Sequence, residues 1–120
     1  MLLLDSLLYQ EYFCLDSYTF LPIVATQEIP GEGIHSRTVY DDNTVRVVLF
    51  SFAQGELLSE HTAAMPAVIH ILEGEARLTL GNDTHDAGPG SWTHMAANLP
   101  HSLQAVTPFR MLLYLIKAAK

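Results

Sequence analysis

Short β-rich segments separated by turn residues follow one another from Phe20 onward, and this rhythm limits the fold more than any other feature of the chain. Turn sequences interrupt the segments at 41–43, 54–55, 73–74, 81–83 and 88–90. The strands predicted between them are 34–40, 44–52, 66–72, 75–80, 84–86, 91–95, 101–107 and 109–117. At least eight short strands indicate an all-β sandwich or barrel. No strand–helix–strand alternation is seen, so a parallel α/β sheet is not expected.

The length of the chain suits one domain. Its 120 residues, 49% of them hydrophobic, can bury a single core. We therefore expect one domain over 1–120, with a barrel core over about 34–117 and an N-terminal extension over 1–33. Apolar residues at helical spacing over 2–13 predict either a short amphipathic helix or an apolar arm across a partner subunit.

Charge and the N-terminal sequence argue against several classes of protein. The net charge is −7 and the six basic residues are scattered, so neither nucleic-acid binding nor attachment to a membrane surface is expected. The single cysteine, Cys14, cannot form an intrachain disulfide and is interpreted as a small buried apolar residue. The first residues lack a basic region and are interrupted by Asp5, which argues against a signal peptide or a membrane span. The sequence therefore predicts a cytoplasmic location.

A spaced pattern of glycine and histidine residues lies within the β-rich region. Gly55 is followed by five residues and His61, and Ala67 is followed by six residues and Gly74. Together with the segments IHILEGEARLTLG and GPGSWTHMAANLPHSL, this pattern resembles the cupin superfamily over about 44–116. The resemblance implies a small single-domain cupin of the RmlC-like type, folded as a double-stranded β-helix or jelly-roll barrel.

The resemblance also identifies the positions at which cupins bind a metal ion. Carried over residue by residue, the first and last metal-binding histidines are His61 and His101. Ala63 and Ala67 stand where the family has a second histidine and a glutamate. A catalytic metal usually takes three protein ligands, so two imidazoles would hold a divalent ion such as zinc, iron, nickel or manganese only weakly.

Two more positions depart from the family pattern. The proline and glycine that precede the last histidine are replaced by Ala96 and Asn98. A third metal ligand would therefore have to come from elsewhere in the chain. The candidates are His35, Gln54, Glu60, His70 and His94.

Strand alternation predicts that the other histidines do not face the barrel interior as the motif positions do. If Ala67 faces the barrel interior, His70 faces the opposite side with Val68. His70 is therefore interpreted as an interface or hydrogen-bonded residue, and His94, which alternates with Trp92, in the same way. The remaining two, His35 and His85, are interpreted as solvent-exposed histidines.

We expect a small organic molecule to bind in the barrel around His61 and His101. The resemblance implies an enzyme of the isomerase, cyclase or dioxygenase type, in which these two residues act as metal ligands or as general acid–base groups. The alternative is a non-catalytic binding or sensor module. An enzyme should have a polar group within hydrogen-bond reach of a histidine and a histidine with a perturbed pKa, whereas a pure binder needs only an apolar pocket. A structural module that acts only by oligomerising should have no pocket.

The distribution of apolar residues predicts a homodimer. Both faces of the last strand are apolar, and the face carrying Val68, His70 and Leu72 is largely apolar as well. With the apolar N-terminal segment, this surface exceeds what one small barrel can cover. An isologous dimer is the commonest way to bury such a surface.

Overall fold

The structure, a computed structural model, describes residues 17–117. The helix or arm predicted over 2–13 and the cysteine at position 14 lie outside the described residues. One short 3₁₀ helix, Ile23–Thr26, precedes nine strands in this part of the chain. The strands are β1 (Ile34–Asp41), β2 (Val45–Phe52), β3 (Leu57–His61), β4 (Ala67–Glu73), β5 (Ala76–Leu80), β6 (Asp83–Ala87), β7 (Trp92–Met95), β8 (His101–Ala105) and β9 (Phe109–Ile116).

The strands form two antiparallel sheets. The five-stranded sheet has the order β1-β2-β9-β4-β7, and the four-stranded sheet has the order β3-β8-β5-β6. The predicted all-β fold, a double-stranded β-helix barrel, is confirmed. No helix within the described residues is long and apolar enough to cross a bilayer.

The core lies between the two sheets and follows the alternation of side chains along each strand. On β4, Ala67, Ile69 and Ile71 face this core, as expected from their spacing. Phe52 and Phe109 are fully buried there, with their rings edge to face at a centroid distance of 5.4 Å. These contacts fix which face of each strand points inward, and they therefore determine which histidines can reach the interior.

The outer face of the five-stranded sheet holds a second, smaller cluster. Its fully packed members are Val47, Leu49 and Leu112, and Ile23 of the 3₁₀ helix packs against them. The central strand β9 is thus buried on both faces over Met111 and Leu112, as its sequence predicts. The chain's own N-terminal segment therefore covers part of the outer face of the sheet, which we expected a partner subunit to cover.

Glycine turns join the strands at the predicted positions. Gly74, between β4 and β5, has a φ of +86°, and Gly81, between β5 and β6, has a φ of +61°. A Cβ atom on Gly74 would overlap the carbonyl oxygen of Pro108 and lie 2.8 Å from the Cα of Phe109. Only glycine accommodates both the backbone conformation and this close approach.

The structure adds one strand to the eight that the sequence predicts. All eight predicted segments are strands, with ends shifted by a few residues. The additional strand is β3, at the edge of the four-stranded sheet, and it carries His61. Four of its five residues are exposed. Its sequence, LLSEH, therefore shows no alternation of apolar and polar residues, and this is why the sequence did not predict a strand here.

Candidate ligand site at a histidine pair

The structure brings His61 and His101 together. They lie directly opposite each other on the neighbouring antiparallel strands β3 and β8. The centroids of their rings are 4.2 Å apart and the rings are inclined by 59°. His101 is buried, with 8% of its surface exposed, whereas His61 lies at the exposed rim. The pair therefore extends from the end of the core to the solvent.

A β-bulge in β3 turns His61 toward its partner. Leu103 of β8 lies opposite Leu58, and His101 lies opposite His61, so three steps along β3 match two steps along β8. Leu58 and His61 would point to opposite sides of a regular strand, but the extra residue brings them to the same side. Leu58 packs against the core. The bulge therefore explains how an apolar core residue and a site histidine occupy positions of opposite parity.

Backbone carbonyl groups fix the proton of each ring. The Nδ1 atom of His61 lies 2.8 Å from the carbonyl oxygen of Ser59, and the Nδ1 atom of His101 lies 2.8 Å from that of Leu99. A carbonyl oxygen only accepts hydrogen bonds, so each Nδ1 must be the donor. In the neutral ring the proton then resides on Nδ1 and the lone pair on Nε2. In its neutral form each histidine thus has an unprotonated Nε2 that can accept a hydrogen bond from a ligand.

The loop before β8 holds one of these carbonyl groups in position. The backbone N–H of Asn98 donates to the carbonyl oxygen of Ala63 at 2.7 Å, which ties this loop to the segment that follows His61. Asn98 has a φ of +69°, a conformation that asparagine tolerates better than most residues. This explains why asparagine can occupy a position where glycine is expected. The next residue, Leu99, supplies the carbonyl that accepts from His101.

The surroundings of the pair are apolar on the barrel side. His101 lies opposite Leu80 as well as His61, and Leu58, Leu80 and Leu99 pack against the core as partly buried residues. Ala67 is buried in this core and offers no polar atom. The site therefore combines two nitrogen acceptors with leucine side chains.

The donor set does not fit a metal centre with three protein ligands. No group of three or more histidine, cysteine, aspartate or glutamate side chains in residues 17–117 is arranged to hold an ion. In this structure His35, Glu60, His70 and His94 thus form no such group with the pair, and Gln54 is an exposed turn residue. The two imidazole nitrogens can contribute two ligands to an ion, and a third would have to come from water or a bound molecule.

The outer face of the five-stranded sheet carries two other histidines. Val68 of β4 lies opposite His94 of β7, and His70 lies opposite Trp92, so these residues share one face. The outward orientation of His70 and His94 is the one expected from alternation. A groove of about 260 Å³ lies here, lined by Val45, Val68, His70, Trp92, Tyr114 and Ile116. A second groove of about 440 Å³ lies on the same face beneath residues 19–23.

The ionic groups with altered pKa values lie away from the histidine pair, at the β1–β2 hairpin. The Tyr40 hydroxyl donates to Asp42 at 2.6 Å, and the backbone N–H groups of Thr44 and Val45 donate to the other oxygen of the same carboxylate. These bonds hold the pKa of Asp42 well below its usual range and raise the pKa of Tyr40. A hydrogen bond from Lys117 is the main cause of the lowered pKa of Asp41. This network caps the hairpin and takes no part in the site.

Comparison with known proteins agrees with this description. The family model described as "Cupin domain" matches residues 48–116, more than half of the chain. No protein of curated function matches the sequence. A conserved protein of unknown function from Streptococcus pyogenes has 28% identity and a TM-score of 0.76, covering 88% of this chain and 92% of its own. A cupin superfamily protein from Desulfitobacterium hafniense has 26% identity and a TM-score of 0.76, covering 85% and 94%.

A more distant structure widens the range of chemistry found on this fold. A salicylate 1,2-dioxygenase from Pseudaminobacter salicylatoxidans has a TM-score of 0.67 and 18% identity, covering 70% of this chain and 26% of its own. At this identity the likeness concerns the fold alone. The family match, the two facing sheets and the paired motif histidines together define the class of protein: the chain belongs to the cupin family.

Proposed function

We propose that this cupin binds a small organic molecule at the end of its barrel, with His61 and His101 as the polar contacts. The observation that carries the proposal is the pairing of two rings at 4.2 Å, each with its Nδ1 bonded to a backbone carbonyl. Such bonds fix two Nε2 lone pairs in place before any ligand arrives. Leucine side chains around the pair supply the apolar surface typical of small-molecule sites.

The same arrangement suits acid–base catalysis. An unprotonated Nε2 can accept a proton from a bound molecule, and histidine is the side chain most often used for this purpose. An isomerase or a cyclase can use such a group, within hydrogen-bond reach of its substrate, without a metal. A non-catalytic binding or sensor module would use the same two atoms only to hold its ligand. Dioxygenase chemistry is the least supported of the enzyme types, since residues 17–117 place no third metal ligand beside the pair.

A fragment screen with two matched variants tests the proposal. We would record ligand-observed NMR spectra for the parent, for His61→Phe and for His94→Phe with a library of neutral, acidic and basic fragments. Both histidines are exposed residues on edge strands, so neither change should disturb the core. Fragments that bind the parent and His94→Phe but lose affinity for His61→Phe support the site. A screen without fragments that depend on His61 contradicts the proposed function.

A divalent metal ion is the second candidate for the pair. The observation in its favour is that both Nε2 atoms are free to ligate and lie on neighbouring strands. Two imidazoles alone give weak binding, so zinc, iron, nickel or manganese would bind with water or an organic ligand completing the coordination. Calorimetry with zinc and nickel on protein purified without nickel resin measures this directly. An affinity that falls as imidazole becomes protonated would support metal binding.

We also propose that the protein is a homodimer. The outer face of the five-stranded sheet exposes Trp92 by 63% beside the groove lined by Val68, His70 and Tyr114. A tryptophan this exposed, next to an apolar groove, is typical of a protein interface. A second copy of the chain would cover both grooves through an isologous contact. The cytoplasmic location expected from the sequence stays a prediction.

A further inference from the structure

The two histidines of the pair are both hydrogen-bond acceptors at their free nitrogen atoms. Because each Nδ1–H is used by a backbone carbonyl at 2.8 Å, a neutral ring has no proton left to offer a ligand. The two Nε2 atoms also cannot bond to each other, since neither carries a proton. A molecule that satisfies both rings must therefore bring its own donors.

The charges of the protein disfavour an anionic ligand. Four basic side chains of the described residues are paired with carboxylates away from the site: Arg46 and Lys117 with Asp41, Arg77 with Asp86, and Arg110 with Glu73. The chain has a net charge of −7, and the exposed Glu60 directly precedes His61. An anion would meet this negative field and two lone pairs unless the histidines first became protonated.

The burial of the pair indicates how the ligand is oriented. His101 is 8% exposed and adjoins the leucine-lined core, whereas His61 lies at the rim. An apolar body is favoured beside Leu58 and Leu80, since apolar surface removed from water stabilises the complex. The donors then lie between this body and the two Nε2 atoms.

From these constraints we infer that the site selects molecules without negative charge that donate two hydrogen bonds, as from two hydroxyl groups, on an apolar frame. The inference rests on the proposed function and narrows it to a ligand class. It assigns equivalent acceptor roles to His61 and His101. Alanine at positions 63 and 67 leaves no competing charged group from the motif.

A series of four probes on one carbon frame tests the inference. The probes are cis-1,2-cyclohexanediol, its monomethyl ether, its dimethyl ether and cyclohexanecarboxylate. We would titrate each into the full chain, treated with a chelator to remove metals, and follow the ring signals of His61 and His101 by NMR. The diol should bind tightest. The monoether, which has lost one donor, should bind roughly tenfold more weakly, and the diether and the carboxylate should bind more weakly still. His61→Phe should remove the preference for the diol, and His94→Phe should retain it.

The outcomes separate this inference from the proposed function. If the diether or the carboxylate binds as tightly as the diol, or if the diol does not bind, the selection of donors is wrong. Fragments that depend on His61 in the screen described above would then still support a small-molecule site. If that screen also gives no such fragments, the proposed function fails together with the inference.

Discussion

Two pairs of histidines occupy similar positions on the two sheets, and they differ in what surrounds their rings. Each pair has one member on an inner strand, His101 on β8 or His70 on β4, and one on an edge strand, His61 on β3 or His94 on β7. In each pair the inner-strand residue is the more buried. The first pair lies beside Leu80, which packs against the core, and the second pair lies on the outer face of the five-stranded sheet.

Hydrogen bonding, more than burial, separates the two pairs. Both rings of the first pair donate to backbone carbonyls. Within residues 17–117 neither His70 nor His94 has such a partner, and their neighbours are Val68, Trp92 and Tyr114. A ring with a fixed proton is prepared to bind a small ligand, whereas an unfixed ring beside an apolar groove is suited to contact another protein surface.

The largest effect is expected from a change on the outer face. Trp92→Glu introduces a charge at the centre of the proposed interface and should raise the dissociation constant of the dimer by about 100-fold or more. Light scattering at micromolar concentration should then give the monomer mass. Gln104→Glu, at an exposed position of β8, is the control and should leave the dimer intact. A parent protein that is already monomeric at micromolar concentration would contradict the proposal that the outer face is a dimer interface.

A second change should convert the inner pair into a metal site. Ala67 is buried at the position where the family has a glutamate. Ala67→Glu should therefore raise zinc affinity by about tenfold to a hundredfold, since a third protein ligand completes the usual set, and adding Ala63→His should raise it further. Calorimetry measures the affinities.

Ala67→Gln is the control for this experiment, because it adds the same volume without the carboxylate. It should leave zinc affinity close to that of the parent, although both changes will cost some stability in a buried position. If Ala67→Glu folds and still binds no more zinc than the parent, position 67 is not directed toward the pair.

A smaller effect is expected in the loop that supports His101. Asn98→Ala should lower the free energy of unfolding by about 1 kcal/mol, because its φ of +69° is unfavourable for alanine. Asn98→Gly should be neutral or slightly stabilising at this conformation. Chemical denaturation measures both, and equal losses for the two variants would show that the side chain of Asn98, and not its backbone conformation, matters.

The smallest effect concerns the carboxylate at the β1–β2 hairpin, which belongs to neither pair. Because hydrogen bonds lower the pKa of Asp42 in the folded protein, its contribution to stability is present above the usual value of 3.8 and is lost as the pH falls toward the lowered pKa. Asp42→Asn should therefore reduce the loss of stability on acidification below pH 3.8. Thermal unfolding across this pH range measures the effect. A variant with the same acid sensitivity as the parent would show that Asp42 does not contribute.

The sequence predicted the strands and the two motif histidines because these depend on local patterns. Alternation on β4 correctly separated the inward Ala67 from the outward His70. It could not find β3, whose residues are mostly exposed, or predict that a bulge would turn His61 toward His101. The sequence could not predict the carbonyl partners of the rings either, since Ser59 and Leu99 accept through backbone atoms that every residue has. The partial cover of the outer face by Ile23 required tertiary structure as well.

The most direct test of the account is the position of the proton on each histidine ring. Long-range ¹H–¹⁵N NMR spectra, recorded well above the ordinary imidazole pKa of about 6.5, distinguish a protonated Nδ1 from a protonated Nε2. We predict a protonated Nδ1 and an unprotonated Nε2 for both His61 and His101, with no such fixed preference for the exposed His94. Spectra in which either ring of the inner pair carries its proton on Nε2 would contradict the acceptor site on which the proposed function and the ligand class rest.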